Sequence, residues 1–186
     1  MRLFIAIEIP EEVRNALAAL LREWRGIAPA AKWVRAENLH VTLKFLGHSE
    51  PEKLGAIEQA LAAVRSPQPI ALQFCGLGFF PNEKRPRIFW TGMEASANLR
   101  ELAQDIDHAV TRLGFPAENR PFAPHLTLAR FDPPGLPAKL DVAVKQHASA
   151  KFGSLHSSTF HLIESKLKPT GAEYTTVQSF SFVTET

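Results

Sequence analysis

Residues 37–47 read ENLHVTLKFLG and residues 120–130 read RPFAPHLTLAR, so the pattern His-x-Thr-Leu occurs twice in this chain. Both copies alternate polar and aliphatic residues, which is typical of a β-strand with one buried face. Side chains two positions apart on a strand share a face, so each copy presents a histidine and a threonine opposite two aliphatic residues. Because the chain has only 7 histidines, two such motifs are improbable by chance.

The two motifs end two similar stretches of sequence. Phe4 lies 36 positions before His40, and Phe89 lies 36 positions before His125. A shift of 85 positions also places the aliphatic stripe of one predicted helix on that of another. This spacing predicts an internal duplication of a strand-helix-strand unit within a single domain spanning residues 1–186. The alternative is a coincidental alignment of two α+β halves.

Two copies are too few for a solenoid, which needs about three or more repeats. We therefore expect an α+β, bilobal fold, with two pseudo-symmetric strand-helix-strand lobes whose antiparallel sheets face a central cleft. Hydrophobic periodicity predicts strands at 3–9, 39–46, 70–77, 87–93, 125–130, 159–167 and 176–183, and helices at 10–26, 51–64 and 99–113. The remaining segments are a short strand or loop at 31–35, a loop at 79–86, a turn at 169–171, and residues 137–153, for which no element is predicted.

The composition indicates a folded protein and excludes several classes of function. The chain has 186 residues, of which 45% are hydrophobic and 22% charged; such a fraction argues against disorder. Its net charge of +2 is too small for nucleic-acid binding by bulk electrostatics. A single cysteine, Cys75, excludes an intramolecular disulfide and a cysteine zinc cluster, which favours a reducing, cytoplasmic location. Glu8 interrupts the first apolar run, so neither a signal peptide nor a membrane span is expected.

Two histidines and two threonines on facing strands suit phosphodiester hydrolysis. That reaction needs a base to deprotonate water and an acid to protonate the leaving alkoxide, and imidazole can do either near neutrality. Threonine hydroxyls can donate to the non-bridging phosphate oxygens. Arg130 lies at an odd offset from Thr127, so a regular strand would aim it away, although at the strand end it could turn into the cleft and bind phosphate. No metal is required, and neither HExxH nor CxxC is present.

On these residues the chain resembles the two-histidine phosphoesterase superfamily, and within it the bacterial RNA 2',3'-cyclic phosphodiesterase family, also called 2'-5' RNA ligase or LigT-like. The resemblance runs nearly end to end, through LFIAIEIP, WVRAENLHVTLKFLG, GLGFFPNEKRPRIFW, RPFAPHLTLAR and ESKLKPTGAEY. It implies opening of a 2',3'-cyclic phosphate at an RNA or nucleotide end to the 2'-phosphate, without metal or cofactor. By motif, His40 would be the proton donor and His125 the proton acceptor, and Thr42 and Thr127 would hold the phosphate.

Other interpretations remain open at this point. The same acid-base pair could catalyse 2'-5' ligation of RNA ends, or the cleft could belong to a nucleotide-binding or RNA-binding module without turnover. The threonines could be simple β-formers. Trp33 and Trp90 could line a base-stacking wall or belong to the core. RNA or only solvent could contact the basic loop 82–87, Lys166 and Lys168. The five other histidines lack a partner motif. The absence of heptads favours a monomer.

Overall fold

Two antiparallel sheets form the framework of the protein. The computed structural model describes residues 1–169 and 171–183. Its strands are β1 (Arg2–Glu8), β2 (Lys32–Trp33), β3 (His40–His48), β4 (Ile70–Phe80), β5 (Ile88–Ala95), β6 (His125–Arg130), β7 (Lys151–Ser157), β8 (Thr159–Lys168) and β9 (Gly171–Ser181). Its helices are α1 (Glu11–Ile27), α2 (Leu54–Ala62), α3 (Asn98–Thr111) and α4 (Ala138–Gln146), with 3-10 turns at Ala36–Asn38 and Pro51–Lys53.

The two sheets have matching orders over four strands, and β2 adds a fifth strand at one edge of the second. The first sheet runs β3-β1-β8-β9, and the second runs β2-β6-β5-β4-β7. In each sheet the motif strand pairs antiparallel with the strand that opens its half of the chain, β3 with β1 and β6 with β5. The predicted α+β, bilobal architecture with pseudo-symmetric lobes around a cleft is confirmed. That it arose by duplication with an offset of 85, within one domain, stays a prediction.

Each motif strand contains a β-bulge at the same place. The register of β3 on β1 skips Leu43, and the register of β6 on β5 skips Leu128, 85 positions later. Because a bulge adds one residue, the leucine and the residue after it are both turned away from the cleft. Lys44 is accordingly 7% exposed and Ala129 is 0% exposed.

The second bulge changes the orientation expected for Arg130. A regular strand would place Arg130 on the face opposite Thr127, but the extra residue at Leu128 returns it to the Thr127 face. The Arg130 side chain is exposed there, beyond the buried pair that precedes it. Strand alternation, which alone would aim Arg130 away from the cleft, is broken at this bulge. That Arg130 binds phosphate stays a prediction.

The helices bury one aliphatic stripe each against the backs of the sheets. Pro10 precedes α1, and two acids in the first turn suit its positive dipole end. Its buried stripe includes Trp24, whose ring stacks on Phe89 of the second sheet at 5.7 Å between centroids. α3 contacts β3 of the first sheet. Truncating a fully buried residue of these stripes, such as Leu17, would cost about 2–5 kcal/mol.

The structure differs from the predicted elements mainly in residues 137–153. That segment holds α4 and the start of β7, which sequence periodicity did not reveal because the buried stripe of α4 has only three residues. β4 continues through Phe80 and β9 begins at Gly171, so the predicted strands at 70–77 and 176–183 were too short at these ends. Thr170, in the predicted turn at 169–171, lies outside the described residues.

Candidate active site

The ring of His40 is fixed by the backbone just before it. Its Nδ1 lies 2.7 Å from the carbonyl oxygen of Asn38. A carbonyl only accepts hydrogen bonds, so Nδ1 carries the hydrogen and donates. The neutral ring therefore has its unprotonated lone pair on Nε2, which is the nitrogen left for proton transfer.

His125 is held in the same way. Its Nδ1 lies 2.8 Å from the carbonyl oxygen of Ala123, again two residues earlier in the chain. The same reasoning assigns the hydrogen to Nδ1 and leaves Nε2 as the proton-transfer atom. The two histidines therefore share residue offset, hydrogen bond and tautomer.

The fold brings the two motif strands together. β3 of one sheet and β6 of the other contact each other. In both strands the aliphatic partners face the core, with Val41, Leu126 and Leu128 each 0% exposed. His40, Thr42, His125 and Thr127 are partly exposed on the opposite faces, which border the cleft.

Burial alters the electrostatic surroundings of His40. Burial lowers the pKa of His40 from 6.5 to about 4, and the hydrogen bond to Asn38 opposes this effect only partly. Desolvation disfavours the imidazolium because its charge loses hydration. Free His40 is therefore neutral at physiological pH.

Aromatic rings contact both histidines, and none of these contacts was predicted from the sequence. The His40 ring lies 4.6 Å from Phe4 and 5.2 Å from Tyr174, and the His125 ring lies 5.1 Å from Phe80. Tyr174 is the only tyrosine of the chain. This was the one feature of the sequence that could have drawn attention to it as a candidate site residue. Phe4 and Tyr174 shield the His40 ring from water, whereas Phe80 packs edge-on against the His125 ring.

The two tryptophans have different roles. Trp33 donates its indole N–H to the carbonyl oxygen of Ala28 at 2.9 Å and packs against the core. Trp90 lies in β5 opposite Thr127, with its ring 5.1 Å from that of Phe80. It covers Gly78 so closely that a Cβ there would lie 2.4 Å from the ring. Trp90 therefore lines the His125 side of the cleft, whereas Trp33 is structural.

The charge of Arg130 acts on a residue of the first sheet. Burial raises the pKa of the Tyr174 hydroxyl, and the positive charges of Arg130 and Arg2 lower it. Arg130 belongs to β6 of the second sheet and Tyr174 to β9 of the first. The charge of Arg130 therefore acts on a residue whose ring lies 5.2 Å from that of His40.

The remaining basic candidates lie on exposed surface. Lys84 and Arg85 occupy a turn in which the side chain of Asn82 accepts hydrogen bonds from their backbone N–H groups. Lys166 pairs with Glu164 and Lys168 pairs with Glu173. Within residues 1–169 and 171–183, no group of three or more His, Cys, Asp and Glu side chains is arranged to hold a metal ion. No helix in this part of the chain is both long and apolar enough to cross a membrane.

The sequence matches the model of the LigT like Phosphoesterase family over residues 7–90 and 93–174. The chain belongs to this family. The predicted resemblance is thereby confirmed, and with it the prediction of an enzyme. An RNA 2',3'-cyclic phosphodiesterase of Archaeoglobus fulgidus is 36% identical over 180 residues, covering 97% of this chain and 99% of the relative. A second such enzyme, from Methanocaldococcus jannaschii, is 34% identical over 180 residues, covering 97% of this chain and 100% of the relative.

Solved structures of the family have the same fold. A protein of Thermus thermophilus superposes with a TM-score of 0.80 at 34% identity, covering 98% of each chain. The E. coli LigT structure complexed with 3'-AMP superposes with a TM-score of 0.74 at 30% identity, covering 99% of this chain and 98% of that one. The family fold and the histidine-lined cleft therefore occur together in this chain.

Proposed function

We propose that this protein hydrolyses 2',3'-cyclic phosphodiester ends of RNA or nucleotides to 2'-phosphomonoesters, without a metal ion or other cofactor. The observation that carries the proposal is the matched pair of histidines, each donating Nδ1–H to the carbonyl two residues earlier. Such anchoring leaves two oriented Nε2 atoms, as acid-base catalysis requires. The relatives named RNA 2',3'-cyclic phosphodiesterase support the substrate class.

In this mechanism the two Nε2 atoms act on opposite sides of the phosphorus. Nε2 of His125 takes a proton from water as the water oxygen bonds to phosphorus. The bond from phosphorus to the 3' oxygen breaks, and that oxygen takes the proton from Nε2 of His40. The products are a 2'-phosphate and a 3'-hydroxyl, with the proton now on His125. Acid-base catalysis of this kind contributes about 10²–10⁴-fold per group.

Three further side chains are assigned to the phosphate. The hydroxyls of Thr42 and Thr127 would donate to the two non-bridging oxygens, on which negative charge increases in the transition state. Arg130, which the bulge turns to the Thr127 face, would donate to the same oxygens and balance their charge. Together with His40 and His125, these side chains all lie on the two motif strands, β3 and β6.

Because the pKa of His40 is low, protonation of this proposed donor depends on bound substrate. Because burial holds the pKa at about 4, the free ring is neutral at physiological pH. An anionic phosphate beside Nε2 favours the imidazolium, since an opposite charge at close range raises the pKa of a histidine. His40 would therefore take up its proton together with the substrate and release it to the leaving oxygen.

Two other functions share this cleft. Ligation of RNA ends through a 2'-5' bond would open the same cyclic phosphate with an RNA 5'-hydroxyl in place of water, and it would use the same histidines. A binding module without turnover has less support, because phosphate binding alone does not require two imidazoles anchored in the same tautomer. We further propose a cytoplasmic monomer whose partner is an RNA with a 2',3'-cyclic phosphate end, or a cyclic nucleotide.

The test is turnover of adenosine 2',3'-cyclic phosphate in the presence of EDTA, with identification of the monophosphate isomer. We expect the 2' isomer, a rate unaffected by the chelator, and at least about a hundredfold loss of kcat in His40→Ala and His125→Ala. His156→Ala, on an exposed edge strand, is the matched control and should keep the full rate. Tight binding without hydrolysis would favour the binding module, and a rate that EDTA abolishes would refute the metal-free mechanism.

A further inference from the structure

A buried ion pair joins the first motif strand to the second half of the chain. Lys44 lies in β3, and its Nζ pairs with the carboxylate of Asp107 in α3; the two side chains are 6% and 16% exposed. β3 belongs to the first sheet, whereas α3 connects β5 and β6 of the second. The pair therefore links the two halves that supply the two histidines.

The bulge in β3 directs Lys44 to this partner. Lys44 follows Thr42 by two positions, so on a regular strand it would share the cleft face with Thr42. The extra residue at Leu43 turns it to the opposite face, where α3 lies. Bulges of this kind re-aim side chains beside functional sites. At the equivalent bulge of β6 the corresponding residue is Ala129, so this link exists on one side only.

The pair also fixes the segment that leads to His125. Lys44 Nζ donates to the carbonyl oxygen of Pro116 at 2.7 Å, and the Asp107 carboxylate accepts the backbone N–H of Glu118 at 3.1 Å. Residues 115–124 contain no helix or strand. One end of this segment is held by the ion pair, and the other end supplies the carbonyl that orients His125.

We propose that Lys44 and Asp107 are positioning residues that fix the spacing between His40 and His125. The proposal rests on the function proposed above, in which both imidazoles act on one phosphorus atom. A buried ion pair is commonly no more stable than a well-packed apolar pair, so stability alone does not account for this one. Misplacement of a reacting group by about 1 Å can cost about 10²-fold in rate.

The decisive variant is Lys44→Met with Asp107→Leu, which removes both buried charges together. A purely stabilising pair would be replaced without loss of activity, because no unpaired charge is left. We expect the double variant to unfold near the wild-type midpoint but to lose at least about tenfold in kcat, with KM changed by less than about threefold. Wild-type kcat in a folded double variant would overturn the proposal.

Two further variants keep the test decisive if the double variant does not fold. Asp107→Asn retains an oxygen for Glu118 N–H and should fold with a reduced kcat. Lys44→Arg retains the positive charge and should keep most of the wild-type kcat. Leu140→Ala in α4, where Leu140 is 0% exposed, is the matched control: it lowers stability by truncating the core and should leave kcat unchanged below the unfolding transition. A wild-type kcat in Asp107→Asn would also contradict the proposal.

A measurement independent of turnover separates this proposal from the proposed function. Spin labels at Ser154→Cys and Gln178→Cys, in a Cys75→Ser background, report the distance between the outermost strands of the two sheets. We expect one narrow distance distribution in this parent and a shifted or broader one in the double variant. An unchanged distribution would refute the positioning role. If the wild-type protein does not hydrolyse the cyclic nucleotide, the proposed function is refuted. The spin-label distances would still decide whether Lys44 and Asp107 position the two sheets.

Discussion

The side-chain amide of Asn38 donates to the carbonyl oxygen of Ala172 at 2.7 Å, across 134 positions of sequence, while the backbone carbonyl of Asn38 accepts from His40. One residue thus ties the loop before the first motif to β9 and orients the ring of the proposed proton donor. The chain around it is held a second time, because Arg14 of α1 donates to the carbonyl oxygens of Ala36 and Glu37.

We expect Asn38→Ala to lower kcat by about tenfold with little change in KM. The variant loses the bond to Ala172, worth about 1 kcal/mol, and lets the carbonyl that orients His40 move. Steady-state kinetics on the cyclic nucleotide check this, with thermal unfolding of the same sample. Asn119→Ala, at an exposed position of the loop before β6, is the control. Equal kcat in both variants would mean that Asn38 does not orient His40.

The depressed pKa of His40 predicts that the free energy of unfolding decreases as the pH is lowered. The ring has a pKa of about 4 when folded and 6.5 when unfolded, so between these values the unfolded chain binds a proton that the folded chain does not. The free energy of unfolding then contains up to about 3 kcal/mol from this residue, fully present above pH 6.5 and lost as the pH falls towards 4. Urea unfolding at several pH values should show a shallower decline in His40→Gln, which cannot titrate; parallel declines would contradict the shift.

The donor and acceptor roles can be separated by the leaving group. A cyclic substrate with sulfur in place of the 3' oxygen releases a thiolate, which leaves without protonation because its conjugate acid is much stronger than an alcohol. We expect His40→Ala to recover most of its lost rate on this substrate, whereas His125→Ala, still lacking its base, should not. Recovery in His125→Ala alone would reverse the two roles.

Tyr174 offers a direct measurement of the cleft charge. Because it is the only tyrosine, the tyrosinate absorbance of the protein reports one site. The positive charge of Arg130 lowers the pKa of this hydroxyl against the effect of burial. We expect Arg130→Ala to raise the pKa of Tyr174 and to raise KM for the cyclic nucleotide severalfold. Arg22→Ala, an exposed change on α1, should alter neither. An unchanged tyrosine titration in Arg130→Ala would place Arg130 away from Tyr174.

Much of the fold follows from local pattern. The strand β6 has the predicted bounds, and β1, β3 and α1 are within about two residues of theirs, because each has one continuous buried stripe that local periodicity reveals. α4 and β7 were missed because their buried faces are short. The aromatic surroundings of the histidines were missed for another reason: Phe4, Phe80 and Tyr174 are separated by long stretches of sequence and meet only in the folded protein.

The sequence by itself determined the two motifs, the strands that carry them and which side of each strand bears the imidazole and the hydroxyl, since alternation along a strand is a local property. Only the tertiary structure decided where alternation fails. The bulges at Leu43 and Leu128 depend on how each strand pairs with its neighbour, and they turn Arg130 towards the cleft and Lys44 towards Asp107. The anchoring of both rings and the burial that neutralises His40 likewise come from packing between distant segments.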